Sequence, residues 1–442
     1  MFNKPKKKTM IMQTYQYPSQ KAEKHVQEII KRGLGFSKTD YKNVENFLKN
    51  VKIRGDQALV EYTNKFDSDK ITIDSLKVSE EEFNQAFKNV DSAFLNTIDR
   101  AINQIRSFHE KQKQNSWIDT PRNGVMTGQL VKPVNTAGIY VPGAKGGKTP
   151  LVSSVLMGGI PAKTAGVESI NLMSPPMKNG KINPHILVAA QKIGINSIFK
   201  AGSAWAIGAL AFGTDQVPKV DVIVGPGNIY VTLAKKIVSG SVGIDMIAGP
   251  SEILIIADQH ANPDFIAADL LSQAEHDIMS SSILVTDSQD IAFKTAAAID
   301  KQIKSLSRKD IAKKSIKNFG AIMQVPDIET AIKLANRLAP EHLELIVKKP
   351  FKYLDQIQNA GALFLGPYTP EPMGDYIAGP NHILPTAGTA RFSSALSVDN
   401  FIKKTSLIHY SEQAFKKEAD DVIHMAEIEG LTAHANCIKL RK

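Results

Sequence analysis

The sequence has a single cysteine, Cys437, in 442 residues. One thiol excludes an intramolecular disulfide framework and any cysteine-rich metal site. A metal ion would therefore have to be held by histidine, aspartate, glutamate or an amide oxygen. The chain also lacks a long uncharged apolar run, which argues against a transmembrane helix. Its basic start, residues 1–8, is not followed by the apolar segment of a secretory signal, so we expect a cytoplasmic protein that binds no membrane.

The recognition elements of nucleic-acid-binding proteins are missing too. The formal net charge is +10, but Lys and Arg are spread along the whole chain. There is no aromatic platform of the RNP type and no helix-turn-helix signature. The charge therefore favours a solvated surface and no nucleic-acid partner. A non-enzymatic basic binding protein is the alternative from another class, and it would bind nucleic acid in a salt-sensitive way.

No standard dinucleotide fingerprint, G-x-G-x-x-G directly after a strand, is present. Two glycine-containing turns follow predicted strands, at residues 143–148 and 225–228, and Asn228 could cap the next helix. Backbone N–H groups at such a helix start could bind a phosphate. The glycines and prolines could equally do no more than turn the chain between strand and helix. Spacing alone leaves both interpretations open.

The chain is long enough for two or more domains, and its pattern changes near residue 125. Residues 20–118 have helical spacing of apolar residues. Beyond them, β-branched segments alternate with helical ones. Strands are predicted at 137–141, 169–173, 220–224, 252–257 and 282–286, and helices at 183–193, 203–212, 228–238 and 262–275.

This alternation predicts a mostly parallel sheet with helices on both faces, and ligands at the carboxyl ends of its strands. After the glycine-rich stretch 374–390, the remaining residues predict two helical segments. We interpret them as an extended tail that could dock on a partner subunit.

Four polar segments in the second half could carry chemistry. In the first, Gln273 and His276 are three residues apart, so on a helix they would share one face and could hold an ion. A plain helix end explains the same spacing. In the second, Glu341 and His342 follow Pro340 and would suit two successive proton transfers near neutral pH. A helix N-terminus with proline in its first turn is the alternative.

The third segment runs from 373 to 382 and contains Asp375 and His382 among glycines. They offer a hard oxygen and an imidazole where the backbone can approach a ligand closely, although a surface loop would look the same. The fourth contains Glu429 and His434. A helix ending at Gly430, followed by a second helix, is the plainer interpretation of that segment.

Together these segments, in this order, resemble the histidinol dehydrogenase family over nearly the whole chain. Any one motif is weak evidence, but seven in order are specific. The segments that carry the resemblance are Gly138-Ile-Tyr-Val-Pro-Gly, Val224-Gly-Pro-Gly-Asn-Ile-Tyr-Val, Ala248-Gly-Pro-Ser-Glu, Ser272-Gln-Ala-Glu-His, Pro340-Glu-His-Leu-Glu, Gly374-Asp-Tyr through Asn381-His-Ile-Leu-Pro-Thr, and Glu429-Gly-Leu-Thr-Ala-His.

The resemblance implies an α/β protein with two incomplete Rossmann-like α/β/α domains, an N-terminal helical region and an extended helical C-terminal tail. The helical region would span 1–125 and pack on the catalytic domain. The NAD-binding domain would span 126–248, and the zinc and catalytic domain 249–395. The tail, 396–442, would complete the partner subunit's site, so a homodimer with shared active sites is expected.

The resemblance also implies an activity: the NAD-linked oxidation of L-histidinol through L-histidinal to L-histidine, the last step of histidine biosynthesis. One zinc ion per subunit is expected, mainly to orient the substrate. The alternative on the same fold is a paralogous NAD-dependent dehydrogenase of another small alcohol. By resemblance, the zinc ligands would be Gln273, His276, Asp375 and His434.

Roles carry over by resemblance as well. His342 would remove the alcohol proton and Glu341 would activate water on the aldehyde. The substrate would contact both the metal ligands and a further set of residues. That set is Ser251, His342, His382 and Glu429.

Tyr140 and Asn228 match family positions that contact NAD. Many family members have Gly-Gly-Ala-Gln-Ala-Ile where this chain has Gly202-Ser-Ala-Trp-Ala-Ile. Trp205 thus replaces a glutamine associated with the cofactor. An indole can stack on a ring but cannot reproduce the hydrogen bonds of an amide. A cofactor contact at Trp205 is therefore the least secure part of the expected site.

Overall fold

The computed structural model describes residues 10–33, 35–144 and 149–442, so most of the basic start and part of the turn at 143–148 lie outside the described residues. In chain order, the helices are α1 (Gln20–Lys31), α2 (Lys38–Arg54), α3 (Asp56–Phe66), α4 (Glu80–Lys88), α5 (Ser92–Glu110), α6 (Val152–Ala165), α7 (Pro184–Lys192), α8 (Ser203–Phe212), α9 (Ile229–Val238), α10 (Pro263–Ala274), α11 (Gln289–Gln302), α12 (Lys309–Phe319), α13 (Ile328–Leu338), α14 (Glu371–Tyr376), α15 (Glu412–Ile428) and α16 (Thr432–Lys439).

The strands are β1 (Thr14–Gln16), β2 (Trp117–Arg122), β3 (Val125–Pro133), β4 (Thr136–Tyr140), β5 (Gly143–Ala144), β6 (Thr149–Pro150), β7 (Ser169–Ser174), β8 (Ser197–Lys200), β9 (Val222–Val224), β10 (Gly243–Ile244), β11 (Glu252–Ala257), β12 (Ser281–Thr286), β13 (Ala321–Gln324), β14 (His342–Ile346), β15 (Ala362–Leu365) and β16 (Ile402–Tyr410). Each strand and helix predicted beyond residue 125 is present within a few residues of its expected bounds. The chain is therefore a mixed α/β protein. Among the described helices, none is both long and apolar enough to cross a bilayer.

Five parallel strands form the first sheet, in the order β10-β9-β4-β7-β8. Helices α4 to α7 cover one face, and α2, α3, α8 and α9 cover the other. Sheets buried on both faces have apolar strands without alternation, which explains why these strands were visible in the sequence. Helix α8 is apolar almost all round because it lies between the sheet and α2.

Six parallel strands form the second sheet, in the order β1-β13-β12-β11-β14-β15. Helices α10 to α12 cover one face, and α1 and α13 cover the other. Along β14, Leu343 and Leu345 pack on the α13 side and Ile346 packs on the α10 side. Since side chains alternate along a strand, His342 and Glu344 share the α10 side.

The N-terminal helices predicted at 20–118 are present as α1 to α5, with two differences. Strand β1 precedes α1 and pairs with β13, and residues 67–79 are not helical. Helix α1 packs on the second sheet, whereas α2 to α5 pack on the first. The N-terminal region thus contacts both sheets, while the boundaries of the four predicted regions remain predictions.

The C-terminal tail contains a strand in addition to its two predicted helices. Strand β16 pairs antiparallel with β3, which also pairs with β2. Helices α15 and α16 follow it. The prediction of helical segments alone was wrong here because the residues of β16 are mostly exposed and show no apolar alternation.

Candidate active site

The candidate active site lies at the amino edge of the second sheet. Glu252 begins β11 and His342 begins β14, and these strands are neighbours. A cavity of about 490 Å³ opens here, lined in part by His342, Asp375 and His382. Two expectations are wrong for these residues: the site is not at the carboxyl ends of these strands, and His342 begins a buried strand instead of lying in a helix N-terminus with Glu341.

His342 is oriented as a proton acceptor. Its Nδ1 lies 2.9 Å from the carbonyl oxygen of Glu252, so Nδ1–H donates to that oxygen. Its Nε2 is buried and has no hydrogen-bond partner among the described residues. Burial lowers the pKa of His342 to about 4, so the ring is neutral at neutral pH. A neutral ring at a cavity, with its second nitrogen as acceptor, can take a proton from a bound hydroxyl.

Glu341 is held by the same neighbour. Its Oε2 accepts a 2.9 Å hydrogen bond from the backbone N–H of Glu252 and lies 3.8 Å from Nδ1 of His342. Burial raises the pKa of Glu341 well above its usual value, and the charges of Glu252 and Asp375 add to the effect. The main chain of Glu252 therefore holds both side chains. Ser251, the residue before it, is partly buried at the same edge.

Asp375 on α14 is the centre of a charged cluster. Nδ1 of His382 lies 3.7 Å from Oδ1 of Asp375. Burial would raise the pKa of Asp375, but the nearby imidazoles of His382 and His342 hold it below its usual value. Ligand atoms of His342, Glu371 and Asp375 lie within 4.8 Å of one another, an arrangement that could hold a metal ion.

Gln273 and His276 come from the end of α10. The helix ends at Ala274, so His276 lies just beyond it, as the plain helix-end interpretation predicted, and the shared helix face is wrong. Gln273 is 1% exposed, and its Oε1 has no hydrogen-bond partner among the described residues. His276 lies at the exposed rim, where surrounding protein lowers the pKa of its ring and the charge of Asp375 acts in the opposite direction. The structure thus brings His276 within electrostatic reach of Asp375.

Glu429 and His434 are not brought to this cavity by their own chain. Both are exposed, one directly after α15 and the other on α16. Neither lines the cavity or shifts the pKa of Asp375 or His276. Gly430, with φ of +72°, lies between the two helices, as the helix-ending interpretation predicted. Within one chain, the tail is separate from the site.

Tyr140 and Asn228 lie at the carboxyl edge of the first sheet. Tyr140 ends β4, and its Oη accepts a 3.0 Å hydrogen bond from the N–H of Ser203. Asn228 caps α9 as predicted, because its Oδ1 accepts from two N–H groups of the first turn. Gly225 has φ of +122°, and a Cβ there would lie 2.1 Å from the carbonyl oxygen of Tyr140, so only glycine fits this turn.

Residues 245–251 join β10 of the first sheet directly to the amino end of β11 in the second. A connection of that length spans at most about 25 Å. The carboxyl edge with Tyr140 and Asn228 and the amino edge with His342 are therefore joined by a short connection.

Trp205 on α8 lies in an aromatic cluster with Phe47, Tyr62 and Phe66. It is 4% exposed and stacks on Phe66, with 5.2 Å between ring centroids and 24° between planes. Its Nε1 has no hydrogen-bond partner among the described residues. These surroundings favour a packing role, and a cofactor contact through Trp205 remains a prediction.

Replacing Trp205 by glutamine is expected to lower the free energy of unfolding by about 3 kcal/mol. The change would leave a cavity among three rings and would bury an amide without hydrogen-bond partners. Urea unfolding followed by circular dichroism measures the loss. Trp205→Phe is the control, since it keeps an aromatic ring in the cluster and should cost less. A Trp205→Gln protein as stable as the wild type would contradict the packing role.

Sequence reasoning missed three buried groups near the site. Glu371 reaches Asp375, and Arg32 at the end of α1 forms a buried ion pair with Glu252. Glu344 lies on β14 and is 1% exposed. Glu371 and Arg32 carry no local signal, since either would be ordinary at a helix end. Glu344 could have been found as a charge inside a strand that is otherwise apolar.

Comparison with known proteins gives the family. Residues 32–442 match the family model described as histidinol dehydrogenase. A histidinol dehydrogenase from Clostridium acetobutylicum is 52% identical over 431 residues, which cover 98% of this chain and 99% of the relative. One from Desulfotalea psychrophila is 54% identical over 398 residues, covering 90% and 92%. The crystal structure of histidinol dehydrogenase from Elizabethkingia anophelis is 40% identical, with a TM-score of 0.91 and 98% of each chain covered. The chain belongs to the histidinol dehydrogenase family of oxidoreductases.

Proposed function

We propose that this chain oxidises L-histidinol through L-histidinal to L-histidine in the cytoplasm, with two NAD molecules in turn and one zinc ion per subunit. The observation that carries the proposal is the buried Nε2 of His342, which has no hydrogen-bond partner among the described residues, on a side chain that lines the cavity together with Asp375. An alcohol oxidation needs such an acceptor for the hydroxyl proton. Membership of the family supplies the substrate.

The residues present fit a zinc ion. Gln273 offers a buried oxygen without a hydrogen-bond partner in the described part of the chain. Asp375 is held ionised, and its charge acts on the ring of His276. These three would hold the metal from the body of one chain, and His434 would complete the set from the tail of a second chain. Zinc would orient the substrate and polarise its hydroxyl group.

In the first oxidation, His342 would accept the hydroxyl proton at Nε2, and NAD, when bound, would supply the acceptor for the hydride from the same carbon. The hydrogen bond from Nδ1–H to Glu252 fixes the ring for this transfer. In the second, Glu341 would take a proton from the water that adds to the aldehyde, and a second NAD would be the acceptor for the hydride from the hydrate. Burial opposes the ionised form of Glu341. A dication beside Asp375 would favour it.

The positions of other residues indicate further contacts with the substrate and with NAD. Ser251 and His382 lie at the same edge or cavity as His342, and both can hydrogen bond to the substrate. Glu429 would reach the substrate from the partner's tail. Tyr140 and Asn228 would contact NAD at the carboxyl edge of the first sheet.

A homodimer would account for the exposed apolar surface of the C-terminal tail. Helices α15 and α16 contact each other, and their outer surface exposes large apolar side chains. Met425 is 59%, Ile428 69% and Leu440 79% exposed. Apolar surface of this kind on an extended tail is typical of a subunit interface. Docked on a second copy, the tail would carry Glu429 and His434 into that copy's cavity.

The direct test is stoichiometry. Purified full-length protein loaded with zinc should form two NADH per histidinol consumed, measured by absorbance and by product analysis. Absence of NADH with metal-loaded protein would refute the proposal. Turnover of another small alcohol, with only weak turnover of histidinol, would favour a paralogous dehydrogenase instead.

Metal content tests the ligand set. The wild type should hold one zinc per chain after dialysis, measured by atomic emission, and His276→Ala should lose most of it because a ligand is removed. Glu371→Gln tests the other possible set of metal ligands. If His342, Glu371 and Asp375 held the ion, Glu371→Gln would lose zinc and His276→Ala would keep it.

A further inference from the structure

Glu344 is a buried acid for which the proposed reaction has no use. It lies on β14, two residues after His342, and is 1% exposed. Burying an acid in an apolar sheet is costly unless its oxygens are hydrogen bonded. Arg32, the buried cation nearest this edge, is already paired with Glu252. Glu344 therefore needs another reason to be there.

One oxygen of Glu344 holds helix α14. Its Oε1 accepts a 2.9 Å buried hydrogen bond from the backbone N–H of Glu371, the first residue of that helix. Helix α14 has no side-chain cap of its own. An N–H group at a helix start has no partner within the helix, so this bond fixes where α14 begins. The proposed ligand Asp375 lies one turn further along.

Burial and the nearby charge of Asp269 on α10 raise the pKa of Glu344, so its carboxyl lies close to that helix. Gln273 is four residues after Asp269, so the two share one face of that helix. The helix ends at Ala274 and His276 follows immediately. The burial of Glu344 on the α10 side of β14 therefore places it beside the ligand-bearing end of that helix.

We infer that Glu344 is a positioning residue for the metal site, because it joins α10 and α14, the two helices that carry Gln273, His276 and Asp375, to the strand that carries His342. This inference rests on the proposed zinc site. Residues that orient metal ligands without touching the ion typically contribute about 10- to 100-fold to metal affinity. A residue that only stabilised the fold would change the stability of the protein and leave metal affinity unchanged.

Three substitutions in the full-length protein test the inference. Glu344→Met keeps the volume but loses the bond to α14 and the carboxyl beside Asp269, so zinc should bind about tenfold more weakly or worse. Glu344→Gln keeps an acceptor for the N–H of Glu371 and gains a donor for Asp269, so it should bind within about twofold of the wild type. Asp269→Ala removes only the contact of Glu344 with α10 and should weaken zinc binding by about threefold.

The control is Asp264→Asn, which changes an exposed acid at the start of α10 and should leave zinc affinity unchanged. Affinity is measured on metal-free protein by competition with a chromogenic chelator, and folding by circular dichroism. Glu344→Met binding as tightly as the wild type, or Glu344→Gln binding as weakly as Glu344→Met, would overturn the inference. If Glu344→Met does not fold, equal affinities of Asp269→Ala and Asp264→Asn would overturn it.

The wild type and His276→Ala separate this result from failure of the proposed function. A wild type that binds no zinc contradicts both the proposed zinc site and the inference. A wild type that binds zinc and loses it in His276→Ala supports the site. In that case, unchanged affinity in Glu344→Met refutes only the positioning role.

Discussion

Replacing His342 by alanine is expected to lower kcat for histidinol oxidation by about 10²- to 10⁴-fold. The substitution removes the acceptor nitrogen that faces the cavity and leaves the alcohol proton without a base. Oxidation of added histidinal should fall less, because water addition is assigned to Glu341. The two half-reactions are measured separately, by NADH formation from histidinol and from histidinal.

Glu341→Gln is the matched variant, and it should show the opposite pattern, slowing histidinal oxidation more than histidinol oxidation. Zinc content serves as the control, because neither residue belongs to the proposed ligand set. Equal losses in both half-reactions for both variants would remove the assignment of separate bases. Loss of zinc from His342→Ala would favour His342, Glu371 and Asp375 as the ligands.

The α/β architecture could be predicted from sequence because both sheets are buried on two faces. A strand such as β11 is buried at every position, so its sequence is apolar without interruption and bounded by turns. Strand β16 could not be found this way, since it is held by pairing with β3 while most of its side chains face solvent. Its pairing partner is more than 260 residues away in the chain, beyond any local pattern.

The individual site residues were recognisable, but their assembly was not. Gln273 and His276 show helical spacing, yet the helix ends between them and His276 is held in the following turn. The expected edge of the sheet was wrong for His342 because the carboxyl-edge rule assumes a ligand bound by loops after the strands. Here the main chain of Glu252, at the start of β11, aligns both Glu341 and His342. Hydrogen bonds from the main chain do not depend on residue type, so the pattern of side chains in the sequence does not reveal them.

Mixing two inactive variants is expected to restore activity if the tail serves the partner subunit. His342→Ala carries its defect in the body of the chain, the part before the tail, and its tail is intact. His434→Ala has an intact body and a defective tail. In a mixed dimer, the body of the second meets the tail of the first, which makes one intact site and one doubly defective site. Since half of randomly reassembled dimers are mixed, activity should rise to about a quarter of the wild-type value.

The expected signal is large because each variant alone should retain little activity: one lacks the proton acceptor and the other a metal ligand. The proteins are mixed, dissociated in mild denaturant and reassembled with zinc before NADH formation is measured. Self-mixed samples of each variant, treated identically, are the controls. No recovery in reassembled dimers of normal size would mean that His434 acts within its own chain. Its exposed position on α16, and the fact that it is not among the groups that shift the pKa of Asp375, argue against that outcome.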